Sequence, residues 1–137
     1  METEKERLAR YAKKPRIQKL GVTPRSRVSI LSVDDPTFAQ EVEKAAAHVS
    51  VGRVAKNSDL IFYGVTKESH LPRLDTLKAS IVPNGAIWVI RPKGRPEISE
   101  ASVMAGGKLA GLVDVKVVSF STTHTAEKFV IPVAARK

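Results

Sequence analysis

Short aliphatic and β-branched runs alternate along this chain with stretches long enough for helix, and that alternation constrains the fold more than any other feature. RVSILSV at Arg27–Val33 reads as a buried strand, being short, apolar and β-branched. Asp34-Asp35-Pro36 breaks it, and Asp35 or Thr37 can cap a helix running to about His48. Phe38, Val42, Ala45 and Ala46 share one face of that helix. A second strand is expected over Val49–Val54 and a third over Asp59–Gly64. Glu68–Ile81 follows as a helix with Leu71, Leu74, Leu77 and Ile81 inward, and Val82-Pro83-Asn84-Gly85 as a turn. Ala86–Ile90 is the fourth strand, Arg91–Pro96 a basic loop, and Ile98–Ala110 a helix with Ser99 near its start and Gly106-Gly107 inside it. Val113–Ser121 and Glu127–Val133 are joined by a short link and pair antiparallel. Strands alternating with helices make βαβ units, hence a mostly parallel sheet with helices on both faces and right-handed crossovers.

Length and composition narrow the chemistry. The 137 residues fit one α/β domain, expected over 27–137, preceded by a basic arm at 1–26 with short helical segments. Thr3 and Glu6 have capping-box spacing for a helix over Glu4–Lys13, which Pro15 ends. Arg16–Leu20 is expected to make a further turn that stops at Gly21. The absence of cysteine excludes disulfides, thiolate metal sites and thiol nucleophiles. No apolar run approaches the roughly 20 residues of a membrane helix, and METEKERLAR has no signal-peptide core. The expectation is a soluble cytoplasmic protein with no membrane partner.

The net charge of +9 is uneven. Residues 1–27 hold nine of the 23 basic residues and three of the 14 acidic ones. Arg7, Arg10, Lys13, Lys14, Arg16 and Lys19 therefore form a candidate polyanion arm that could grip phosphates without reading sequence. Against this, Phe38, Phe62, Tyr63, Trp88, Phe120 and Phe129 lie in segments that read as core, which leaves Tyr11 as the one aromatic in the arm. Single-strand binders need several exposed rings.

Two likenesses add to this reading. Strand DLIFYG, a helix, VPNGAIWVI, a second helix and the VDVKVVSFS…KFVIPV hairpin resemble the C-terminal half of class I methyltransferases. That resemblance implies a Rossmann-like three-layer sandwich with sheet order 2-1-3-4-6-5 and an antiparallel strand six. KLGVTPRSRV (Lys19–Val28), WVIRPKG (Trp88–Gly94), ISEASV (Ile98–Val103) and GLVDVKV (Gly111–Val117) resemble more closely an uncharacterised bacterial family of small Rossmann-like proteins of unknown function. The likeness covers about residues 16–133. The chain departs from that family at His124, where members carry a Trp, and at SVDDP, where they carry a small-residue turn.

Nucleotide-cofactor folds of this shape place glycines after the first strand and an acidic residue at the end of the second. Here the first position reads Leu31-Ser32-Val33-Asp34-Asp35-Pro36 and the second Val54-Ala55-Lys56-Asn57, so no cofactor is expected. No P-loop is present, and His48, His70 and His124 are isolated from one another, so no metal is expected. Ser32, His124 and Asp34 could be assembled as a triad on paper, but no GxSxG elbow supports it. No catalytic residue is assigned. Ligands of open parallel sheets bind beyond the carboxyl ends of the strands, where strand order reverses. Lys67, Arg91, Lys93, Arg95 and His124 fall at that edge and are the candidate anion-binding residues. Asp114 and Lys116, two apart on one strand, are expected to share a face. The expected function is a non-catalytic binding or regulatory module for an anionic small molecule or a macromolecular partner. The alternatives are a divergent S-adenosylmethionine-dependent methyltransferase-like enzyme and nucleic-acid binding through the arm.

Overall fold

The computed structural model describes residues 15–136. The helix expected over Glu4–Lys13 lies outside them, as do Arg7, Arg10, Lys13 and Lys14. A short helix α1 (Arg16–Lys19) leads into β1 (Arg27–Leu31), α2 (Pro36–Ala45), β2 (His48–Val51) and β3 (Ser58–Gly64). A 3-10 turn (Glu68–His70), α3 (Arg73–Lys78), β4 (Ile81–Pro92), α4 (Glu100–Leu109), β5 (Val113–Ser119) and β6 (His124–Val130) follow. The six strands form one sheet in the order β2-β1-β3-β4-β6-β5. Its first four strands run parallel, and β6 is antiparallel to both β4 and β5. The Rossmann-like α/β expectation and its strand order both hold.

Two apolar layers sandwich the sheet. On one face Ile61, Tyr63, Ile87, Val89 and Phe129 meet Leu74 and Leu77 of α3 and Val103 of α4. On the other, Val28, Ile30, Phe62, Trp88 and Ala126 meet Leu20, Val22 and the α2 residues Phe38 and Val42. The starts of α2 and α4 are fixed by side chains. The Asp35 carboxylate accepts the Phe38 N–H at 3.0 Å, and Ser99 and Ser102 cap α4 reciprocally.

Three expectations are corrected. The helix expected over Glu68–Ile81 is split, because Pro72 brings no N–H to a continuous ladder and α3 restarts after it. VPNG is not a turn between elements but part of β4: the register moves from Ser58↔Ile81 directly to Leu60↔Ala86, and the intervening residues bulge. Asp114 and Lys116 do not share a face. A second bulge at Val115 sets Asp114 opposite Phe129 and Lys116 opposite Lys128, neighbours that point to opposite sides of β6.

Gly107 sets the distance between α4 and the sheet. A Cβ there would lie 2.2 Å from the Phe129 ring, and Phe129 is itself buried. Gly107→Ala is expected to lower stability by about 1–3 kcal/mol through overpacking, despite alanine's better helix propensity. Urea denaturation measures it; an unchanged or raised midpoint would contradict this account of the helix–sheet contact.

Candidate functional site

Strand order reverses between β1 and β3, and a crevice of about 220 Å³ opens at their carboxyl ends. Its walls come from the Ser32–Asp35 turn, from Gly64–Thr66 after β3, from Ile90, and from the β5–β6 connection. The turn after β1 folds tightly without a glycine. Ser32 itself adopts φ 58°, the left-handed conformation that glycine usually supplies. The Ser32 carbonyl then passes so close to Gly64 that a Cβ on Gly64 would lie 2.0 Å from the oxygen. The glycine that this site requires is therefore on β3, facing the turn. The sequence signal for it is the glycine that ends DLIFYG, outside the first loop.

Arg16 ties two of these walls together, through Asp35 and Phe120. Its guanidinium donates to both Glu41 oxygens, with Nη2 to Oε2 at 2.7 Å, to Asp35 Oδ2 at 3.0 Å and to the Phe120 carbonyl at 3.2 Å. Its Cζ lies 4.7 Å from the Phe120 ring centroid and 5.1 Å from that of Phe38. Burial works to raise the Asp35 pKa, but the Phe38 N–H and the Arg16 guanidinium outweigh it and hold the carboxyl below its ordinary range. Asp34 is exposed and makes no ion pair among the described residues.

The expected anion-binding residues are not brought together. Of the five, only His124 lines the crevice, with Nδ1 2.8 Å from the Thr123 hydroxyl. Arg91 is drawn to the other side of β4–β6, where its Nε pairs with the fully buried Glu127. Lys93 donates to the Ser119 hydroxyl at 3.0 Å, and Lys67 and Arg95 are exposed. In the arm, Arg16 is consumed by Asp35 and Glu41, and the Lys19 carbonyl receives the Lys116 ammonium at 3.5 Å. Ser32, Asp34 and His124 all border the crevice, yet no hydrogen bond links them among the described residues.

No family model matches this sequence, and no curated protein matches it. Solved structures do. An S-adenosylmethionine-dependent methyltransferase from Aquifex aeolicus superposes with a TM-score of 0.61 at 14% identity, covering 95% of this chain and 100% of that one. A putative type 11 methyltransferase from Sulfolobus solfataricus gives 0.62 at 11%, covering 93% and 95%. A ribosomal protein L11 methylase from Lactobacillus delbrueckii subsp. bulgaricus gives 0.62 at 10%, covering 82% and 72%. These likenesses establish the fold, and they extend beyond the C-terminal half to nearly the whole chain. They also overturn the expectation of a non-catalytic module, since these three structures are described as methyltransferases or as a methylase. Among the described residues, no helix is long and apolar enough to cross a membrane.

Glu127 supplies a test of this region. Burial raises its pKa, and Arg91 only partly offsets the rise; one carboxylate oxygen has no hydrogen-bond partner. A carboxyl whose folded pKa exceeds its unfolded value binds a proton more tightly when folded. Its contribution is complete below the unfolded value and is lost as pH rises through the folded one. Arg91→Met leaves the carboxylate buried and uncompensated, and is expected to cost about 3–5 kcal/mol at neutral pH. The deficit should shrink as pH falls toward 5, in urea melts of both proteins; a pH-independent deficit would count against an ionised Glu127.

Proposed function

We propose that this chain is a divergent methyltransferase-type enzyme that binds S-adenosylmethionine in an altered pose at the crevice beyond β1, β3 and β4. The observation that carries this reading is the superposition on solved methyltransferases over nearly the whole chain, alongside a strand order, with antiparallel β6 between β4 and β5, that the likeness to class I methyltransferases implies. The crevice lies at the position where open sheets of this class bind ligands. The resemblance of KLGVTPRSRV, WVIRPKG, ISEASV and GLVDVKV to an uncharacterised family of small Rossmann-like proteins is compatible with this reading and brings no activity of its own.

The usual adenosyl pose does not fit these residues. The N-terminus of α2 is already capped by Asp35, so it offers no ready place for a carboxylate. β2 ends at Val51-Gly52-Arg53, without an acidic partner for ribose hydroxyls. A volume of about 220 Å³ is below the roughly 300 Å³ at which small-molecule sites usually begin. The crevice is suited instead to the cationic end of such a ligand. Asp34 is the unpaired carboxylate there, with Thr66, Ser121 and Thr123 as neighbouring hydroxyls. A sulfonium or ammonium group is attracted to a carboxylate, and the bulk of the ligand must then extend outward along the surface. His124 stands on the same wall, its Nδ1 2.8 Å from the Thr123 hydroxyl.

Calorimetry with S-adenosylmethionine and S-adenosylhomocysteine tests the proposal. Micromolar binding of the first is expected, weakened at least about tenfold by Asp34→Asn, the equivalent of about 1.4 kcal/mol. S-adenosylhomocysteine lacks the sulfonium charge and should be less sensitive to that substitution. Absence of heat for both ligands at millimolar concentration would overturn the reading.

A further inference from the structure

We propose that a second binding site, for a small phosphate-bearing molecule, lies at the opposite end of the sheet between the Gly21–Ser26 turn and Lys128. A cavity of about 310 Å³ opens there, against the amino ends of β3 and β4. Arg25 and Lys128 supply positive charge, Thr23 and Ser26 hydroxyls, Asn84 an amide, and Leu60 and Ala86 an apolar floor. The site shares no residue with the crevice and does not depend on the methyltransferase reading.

The charges are arranged at a cost that an anion would remove. Lys116 stands directly opposite Lys128 across β5 and β6, and like charges in that position repel. Neither lysine, nor Arg25, makes an ion pair among the described residues. Lys128 is half-buried, and its ammonium lies 5.8 Å from the centroid of the Trp88 ring. Burial and then the Lys116 charge both push its pKa down. The groups around it are thus short of negative charge.

One carboxylate lies on the wall. Asp59 turns an oxygen to the Arg27 N–H at 2.8 Å, which partly occupies it with the start of β1. Two cations on the lining, Arg25 and Lys128, against this one carboxylate leave the pocket positive. The Thr23 and Ser26 hydroxyls are hydrogen-bonded to each other at 3.1 Å, which leaves one of their two hydrogens to turn to an oxyanion. A small open pocket with a few convergent groups fits a compact phosphate better than a nucleic-acid strand, which needs an extended groove and stacking rings.

Trp88 is the chain's only tryptophan, so the site carries its own reporter. The experiment titrates the full chain with inorganic phosphate, pyrophosphate and phenyl phosphate at constant ionic strength. Trp88 fluorescence and calorimetry are both read. The inorganic and organic probes distinguish free phosphate from a phosphate monoester as the natural chemistry. Saturable submillimolar binding of at least one probe is expected. It should weaken about tenfold or more in Arg25→Gln and in Lys128→Met, since each removes a charged hydrogen-bond donor. Arg25 is exposed, so its variant tests the site without disturbing the core. Lys108→Gln, exposed on α4 and outside this pocket, should bind as the unaltered chain does. Three results would overturn the proposal: no saturable binding of any probe, affinity unchanged in both variants, or binding of a single-stranded oligonucleotide but of none of the three phosphates.

Discussion

The two central strands must be buried on both faces, and the rest of the architecture answers that requirement. β3 sends Ile61 and Tyr63 to one side and Leu60 and Phe62 to the other; β4 does the same with Ile87 and Val89 against Ala86, Trp88 and Ile90. A sheet whose middle is apolar on both surfaces cannot leave either to water. One covering layer is α3 and α4. The other is α2 together with the Leu20–Val22 segment, so the chain ahead of β1 belongs to the core. Since parallel strands need crossovers, the helices satisfy connectivity and burial together.

That second layer explains what became of a basic residue assigned to the arm. Arg16 sits over Phe38 and Phe120 and reaches two carboxylates and a carbonyl, joining the N-terminal segment, α2 and the end of β5. A planar guanidinium can stack on rings and donate along its edge at once, which a lysine cannot. The residue expected to meet a polyanion instead fixes one wall of the crevice.

The fold was legible because hydrophobic period, helix caps and link lengths all agreed. Strand boundaries fell within a few residues, and the six aromatics read as core are all buried. What escaped was non-local. Nothing around Gly64 announces that the Ser32 carbonyl will lie against it, and nothing around Arg91 reveals a buried Glu127 36 residues later. The two bulges were hidden for a similar reason. A bulge is a mismatch between two strands, and neither VPNG nor VDVKV shows it alone. The site suffered most, since it is assembled from loops whose partners come from distant parts of the chain.

The irregularity at Val115 matters beyond the face it assigns to its neighbours. β5 is an outermost strand, with Val113, Val115 and Val117 at 43%, 52% and 53% exposure. A flat ribbon of that composition would template the stacking of further chains. The kink interrupts its row of free amides and carbonyls, and the charged residues on either side of it turn to opposite surfaces. A one-residue misfit therefore makes this valine-rich margin a poorer template for a further strand.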